Sequence, residues 1–242
     1  MAKFLLVTDL DNTLVGDDQA LASFNQQLNQ HRQAHETLLV YSTGRSLTSY
    51  QHLKAEKPLL EPDFLVAAVG TEIYARGSDR PEADWSEKLA QDWDRDLVVA
   101  TTAHFADLIR QPESEERPFK ASYFLTPDAA LQVLPELESL LQARGLDVKL
   151  VYSSGKDLDI LPRHGDKGEA MLFLRETVGM AANRTVVCGD SGNDRALFSA
   201  AGEERGIVVG NAQQELLEWH YANPSNNRYL AQAHCAAGIL EG

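Results

Sequence analysis

The chain has 242 residues, 43% of them hydrophobic, and a formal net charge of −14 at pH 7. That length suits one large domain or a core with a smaller insertion, and the apolar content excludes a disordered chain. The acidic balance, with no cluster of Lys or Arg, excludes a general nucleic-acid binder and disfavours contact with anionic lipid. No apolar stretch reaches membrane-spanning length, and Met-Ala-Lys with the short apolar run after it lacks a signal-peptide pattern. Two cysteines, Cys188 and Cys235, make no disulfide framework, so a cytoplasmic protein is expected.

Short apolar runs at 4–8, 38–42, 64–69, 185–188 and 207–209 each end in small or polar residues. This is the pattern of central strands in a parallel sheet buried on both faces. Between them, 17–32 places Leu21, Phe24 and Leu28 at helical spacing with Gln26 and Gln30 opposite. A shorter polar helix is expected at 46–56, another helix at 167–178 around Met171, Leu172, Leu174 and Val178, and a short alanine-rich one at 194–201. The alternation predicts an α/β fold with right-handed crossovers, whose ligands bind beyond the carboxyl ends of the strands. The middle departs from it. Residues 82–117 are charged and place Trp85 and Trp93 on a helix-like segment. Strand candidates follow at 119–125 and 148–152, with a helix at 129–144 between them. That order predicts a small α+β cap, leaving the sheet domain at the turn-rich 77–81 and returning at 161–165. The expected bounds are 1–81 and 162–242 for a Rossmann-like parallel-sheet core, and 82–161 for the inserted cap.

Four short motifs carry the chemistry. Asp9-Leu10-Asp11-Asn12-Thr13 follows the first apolar run. Side chains two apart on an extended chain point the same way, so Asp9 and Asp11 leave the strand tip aimed at one spot. Two carboxylates so close require a cation between them or a shared proton, although a strand ending in an Asx-type turn has the same composition. The second run ends in Ser42-Thr43-Gly44-Arg45, where a hydroxyl and open backbone N–H groups can hold a phosphate or simply cap a helix. Arg45 reaches either substrate or solvent. Asp166-Lys167-Gly168 opens a helix just after the cap return, where a lysine can offset the charge of a transferring phosphoryl group or lie in solvent. Gly189-Asp190-Ser191-Gly192-Asn193-Asp194 follows a buried-type strand and offers hard oxygens suited to Mg²⁺. An EF-hand loop is excluded, because its alternating acidic ligands and terminal Glu are missing. Each motif alone is ordinary; all four in this order, each at a strand tip or helix start, are not.

Together they resemble the signatures of the haloacid dehalogenase-like phosphohydrolases, over the whole chain and with the cap between the second and third signatures. The resemblance implies Asp9 as nucleophile, Asp11 as general acid and base, and Thr43 and Lys167 as further catalytic residues. It implies Mg²⁺ held by Asp9, the Asp11 backbone carbonyl and Asp190. Asp194 is grouped with the metal site and expected to orient the lysine or a metal-bound water. Thr43, Gly44, Lys167 and Asn193 would hold phosphoryl oxygens. Within that superfamily, residues 69–74, 119–123, 152–162 and 234–240 look like sucrose-phosphate phosphatases of cyanobacteria and plants. This implies hydrolysis of sucrose 6-phosphate, with Arg45, Glu72, Lys120, Ser122, Lys156 and Asp157 as sugar-binding candidates in the cap and hinge. Another sugar-phosphate phosphatase, acting on a mannosyl- or glucosyl-glycerate or glycerol phosphate, and a phosphomutase of the same fold stay open. The expected partner is a small-molecule sugar phosphate, with no nucleic acid or membrane. Docking of a sucrose-phosphate synthase stays open, and a monomer is expected.

Overall fold

A computed structural model describes residues 4–200 and 203–242, so the expectations for the first three residues and for residue 201 lie outside the described residues. In chain order the elements are β1 (Leu5–Thr8), α1 (Asp18–His35), β2 (Leu38–Ser42), α2 (Leu47–Glu56), β3 (Phe64–Ala67), β4 (Glu72–Ala75), α3 (Ala83–Ala90) and α4 (Arg95–Thr102). Next come β5 (Ile109–Arg110), β6 (Ala121–Phe124), α5 (Pro127–Ala143), β7 (Val148–Ser153), β8 (Asp157–Pro162), α6 (Lys167–Val178) and β9 (Thr185–Gly189). The chain closes with α7 (Arg195–Ser199), β10 (Arg205–Val208), α8 (Gln214–Ala222), β11 (Arg228–Leu230) and α9 (Cys235–Glu241).

Among the described residues there is a seven-stranded sheet of order β11-β10-β9-β1-β2-β3-β4 and a four-stranded sheet of order β5-β6-β8-β7. The larger sheet is parallel except for β4, which turns back along β3. The apolar runs are continuous because both faces are covered. Leu5, Val7 and Val40 pack on Met171 and Leu174 of α6, while Leu39 and Tyr41 join Leu21, Phe24 and Leu28 of α1 and Ile239 of α9 on the opposite face. Asp17 caps α1 by accepting from the N–H groups of Gln19 and Ala20, and Glu36 ends it with φ of 52°. Strand order reverses at β1: the chain proceeds to β2 and β3 on one side, while β9, β10 and β11 extend on the other. In open α/β sheets the crevice at that reversal is where ligands bind.

The smaller sheet packs Ala121, Tyr123, Leu158 and Ile160 against Val133, Leu137 and Leu141 of α5, forming a separate hydrophobic cluster. The expected cap boundary is displaced. α3 lies on the large sheet, with Trp85 and Leu89 fully buried in the core cluster and the Trp85 indole donating to the Gly70 carbonyl at 3.0 Å. Trp93 instead lies beyond α3, packs on the cap cluster and donates to Pro118. The two tryptophans expected on one segment therefore belong to different cores, and the changeover falls between them. At the return, Leu161 and Pro162 end β8 rather than forming part of a loop. The run at 64–69 stops as a strand at Ala67, because Ala68 and Val69 take positive φ of 50° and 62°. The expected helix at 194–201 is a 3-10 turn at Gly192–Asp194 followed by α7.

Candidate active site

The N–H of Asp9 donates to the Cys188 carbonyl at 3.0 Å, so the ends of β1 and β9 lie side by side and bring Asp9 beside Asp190. Lys167, the first residue of α6, is wholly buried and donates to Asp9 Oδ1 at 2.7 Å and Asp194 Oδ1 at 2.6 Å. The other oxygen of Asp194 accepts from the N–H groups of Asp190 and Ser191, at 3.0 and 3.1 Å. This return of Asp194 onto its own loop requires Gly189: a Cβ there would lie 2.4 Å from the Asp194 Cβ. Thr13 completes the group by donating its hydroxyl to Asp190 Oδ1 at 2.8 Å.

The charges do not balance. Burial lowers the affinity of Lys167 for its proton, but Asp194 and Asp9 outweigh burial and hold it protonated. Burial pushes Asp9 up to about 7, with the attraction of Lys167 opposing and the charge of Asp194 adding to it. Burial, then the charges of Asp9 and Asp194, push Asp190 up to about 8. The lysine is fully matched, and the carboxylates are left short of positive charge. Asp9, Asp190 and Asp194 each offer an oxygen within 4.8 Å of the others. Hard oxygens with a deficit of two charges fit a small divalent cation such as Mg²⁺. Both oxygens of Asp194 already serve Lys167 and the loop backbone, whereas Asp9 and Asp190 each have one oxygen engaged, by Lys167 and Thr13 respectively.

Above these residues opens a cleft of about 600 Å³ between core and cap. Asp9, Asp11, Gly44, Arg45, Asp190 and Asn193 line it from the core. Asp11 sits two residues beyond Asp9 as its spacing requires, but its carboxylate is forked by Arg45: Nε and Nη2 each donate to one oxygen at 2.7 Å. The hydrogen bonds from Arg45 to Asp11 raise the guanidinium further above its ordinary value, and Ser49 steadies its Nη1 at 3.0 Å. Arg45, expected on the substrate, thus holds the second aspartate. Thr43 is buried, with its hydroxyl oxygen accepting from the Arg45 N–H at 3.2 Å.

From the cap, Lys120, Lys156, Asp157 and Asp159 reach the cleft. Asp159 is 5% exposed and accepts from Lys120 Nζ at 3.3 Å and Ser122 Oγ at 2.6 Å. Gln111 donates to Asp157 at 2.9 Å, and burial raises the Asp157 carboxyl. Two sugar-binding candidates stand elsewhere. Ser122 supports Asp159 from behind and does not line the cleft. Glu72 accepts from the Tyr74 hydroxyl at 2.8 Å and faces Arg117, also away from it. Asp159 and Gln111 went unrecognised in the sequence. For Asp159 the signal was present: Asp157 and Asp159 are two apart and alternate with buried Leu158 and Ile160, the same spacing that singled out Asp9 and Asp11.

A strand-tip aspartate, a buried lysine and an acidic loop beneath an inserted cap sit here on the fold of the haloacid dehalogenase-like hydrolases. A member of that group from Bacillus subtilis superposes with a TM-score of 0.68 at 18% identity, over 99% of this chain and 90% of that one. The family model for sucrose-6F-phosphate phosphohydrolase matches residues 2–242, and the chain belongs to that family. It is similar to the sucrose-phosphatase of Synechocystis sp. PCC6803, solved with sucrose and phosphate, with a TM-score of 0.94 and 40% identity over 100% of this chain and 96% of that one. It is also 43% identical to sucrose-phosphatase 2 of Nicotiana tabacum, over 99% of this chain but 58% of that protein's length. The residues that pack and carry the cleft fall within the shared portion. No helix among the described residues is long and apolar enough to cross a membrane.

Proposed function

We propose that the chain hydrolyses sucrose 6-phosphate to sucrose and inorganic phosphate through a phosphoaspartate on Asp9. The observation that carries this reading is Asp9 itself: a buried carboxylate at the strand tip, fixed by Lys167, opening into a polar cleft between core and cap. Membership of the sucrose-6F-phosphate phosphohydrolase family supports the substrate.

In the first step an Asp9 oxygen attacks phosphorus and the bond from phosphorus to the sugar oxygen breaks. Asp11, swung out of the Arg45 fork and carrying the proton it took from water in the preceding turnover, gives that proton to the departing oxygen. In the second step Asp11 takes a proton from water, which attacks the phosphoaspartate and frees phosphate and Asp9. One group serving as acid and then base is the normal economy of such a sequence. Lys167, Gly44 and Asn193 offer donors for the phosphoryl oxygens, and Thr43 supports them through the Arg45 backbone. Mg²⁺, which Asp9, Asp190 and the Asp11 backbone carbonyl would hold, supplies neutralisation of phosphoryl charge. Lys120, Lys156, Asp157 and Asp159 offer the donors and acceptors that a disaccharide requires.

Phosphate release across a panel of sugar phosphates, with Mg²⁺ and after chelation, tests this. Sucrose 6-phosphate should turn over with the highest kcat/KM, and chelation should silence the enzyme. A glycerate or glycerol glycoside phosphate preferred over sucrose 6-phosphate refutes the substrate. Transfer of the phosphoryl group back to sugar, without free phosphate, refutes the hydrolase.

A further inference from the structure

We propose that Glu215 is a positioning residue, the latch that holds the cap closed over the cleft. The inference rests on the phosphatase reading for its kinetic consequences, though not for its geometry. Glu215 lies in the first turn of α8, outside the cleft. One carboxylate oxygen, Oε1, accepts from the Ser154 N–H of the cap at 2.8 Å and from the Gly192 N–H of the core at 3.3 Å. Both donors are backbone groups next to cleft residues: Ser153 and Ser154 line it from the β7–β8 turn, and Ser191 and Asn193 line it from the acidic loop.

Three further observations converge on this contact. Gly192 is a close approach of cap to core, since a Cβ there would lie 2.5 Å from the Tyr152 carbonyl and 3.2 Å from the Glu215 Cγ. Only glycine lets β7 settle so near the loop that bears Asp190. Ser154 and Gly155, with φ of 55° and 62°, are the central residues of the tight turn joining β7 to β8, closed by the Lys156 N–H on the Ser153 carbonyl at 3.2 Å, so the hairpin itself fixes the direction of the Ser154 N–H. That N–H is the group that Glu215 holds. Finally, α8 is itself fixed to the acidic loop, because the Gln213 N–H donates to the Asp190 carbonyl at 2.7 Å. The carboxylate therefore ties the tip of the cap to a turn anchored on a metal-ligand residue.

The position along β7 separates latch from hinge. Lys149, near the start of that strand and paired in register with Leu161, forms a second tie from β7, to Asp166 at the head of α6. That contact adjoins the return of the chain to the core and survives a rotation about it. Ser153 and Ser154 lie four and five residues further out, about 13–17 Å at the usual strand rise. Opening the cap must break their contact with Glu215. Closure thus brings the cap's sugar-facing groups into place and seats the Ser154 N–H on a carboxylate that the core already holds through Gly192.

The test compares Glu215→Ala and Glu215→Gln with the wild-type chain on sucrose 6-phosphate and on 4-nitrophenyl phosphate, together with amide exchange at residues 153–156. In Glu215→Ala the KM for the sugar ester should rise about tenfold, equivalent to about 1.4 kcal/mol, with kcat nearly unchanged. Hydrolysis of the aryl ester, which is too short to depend on the cap tip, should stay within about threefold. Glu215→Gln keeps an acceptor oxygen and should recover most of the loss. The Ser154 amide should exchange about tenfold faster in Glu215→Ala. Equal loss on both esters, no loss on either, or unchanged exchange at Ser154 overturns the latch. If the wild-type chain releases phosphate from neither ester, the catalytic reading fails, and the exchange measurement still decides the latch.

Discussion

Asp9→Asn should abolish turnover and, in the absence of metal, stabilise the protein. The magnitude follows from the burial of an undercompensated carboxylate. The ordinary carboxyl value of 3.8 rises to about 7 at Asp9, even with Lys167 bonded to it. A folded-state value above the unfolded one means that the native state keeps a proton the unfolded chain has released. The contribution of Asp9 to stability is therefore full below about pH 4 and falls as pH rises towards 7, where the loss levels off. At about 1.4 kcal/mol per pH unit, the loss approaches 4 kcal/mol. The attraction between Asp9 and Lys167 is already inside that net figure. Asparagine keeps the shape and lacks the slope, so at pH 8 in chelator it should unfold well above wild type. For a chain of this length each kcal/mol moves the midpoint roughly 2–4 °C, which sets a ceiling of about 16 °C. At pH 4 the two should unfold together. Mg²⁺ should raise the wild-type midpoint at pH 8 and close or reverse the gap, because the dication supplies the missing charge. Thermal unfolding at both pH values, with chelator and with Mg²⁺, is the assay. A variant that melts below wild type at pH 8 in chelator, or an offset between the two that does not grow from pH 4 to pH 8, refutes the charge deficit.

Two further substitutions bear on other parts of the argument. Lys167→Met should act with the opposite sign in the same melting assay. It leaves Asp9, Asp190 and Asp194 with no ammonium and should cost about 3–5 kcal/mol, with kcat down at least ~100-fold; a neutral effect on stability would place the lysine outside the charge network. Trp85→Ala should cost about 3–5 kcal/mol of global stability, because the indole is packed under the large sheet and bonded to Gly70. A mild change confined to the cap, followed by amide exchange, would move α3 back to the cap side of the boundary.

The central strands were legible in the sequence because burial on both faces writes itself as an unbroken apolar run, and β1, β2, β3, β9 and β10 all carry one. The signature residues were legible because each lies at the end of such a run or at a helix start, where local spacing determines direction. What stayed hidden depends on contacts distant in sequence. β4, four residues long, is made a strand by its pairing with β3, whereas β8 is the exception: the alternation of Asp157 and Asp159 with Leu158 and Ile160 is legible as a strand in the sequence itself. α3 reads as part of the charged middle, and its allegiance is decided by two buried side chains, Trp85 and Leu89. The fork of Arg45 on Asp11 joins residues 34 apart, and nothing in either neighbourhood announces it.

The same distinction governs the substrate. A chain of −14 must attract a phosphate ester through local charge, and the sequence points to lysine and a metal for that purpose. In the assembled cleft the lysines do not suffice. Six carboxylates line it (Asp9, Asp11, Glu115, Asp157, Asp159 and Asp190), against the three cations Arg45, Lys120 and Lys156. Arg45 and Lys120 are each already spent on an aspartate, Asp11 and Asp159 respectively. An incoming phosphate dianion therefore meets a negative cleft unless a divalent ion has entered first. On the proposed reading Mg²⁺ should be a condition of binding as well as of chemistry: without it the sugar phosphate should fail to bind even to Asp11→Asn, whose acid–base step is blocked while Asp9, Asp190 and the backbone carbonyl at 11 are kept. Titration calorimetry of that variant with sucrose 6-phosphate, in chelator and then in Mg²⁺, separates the two roles, and tight binding in chelator would show that the cleft's own cations are enough.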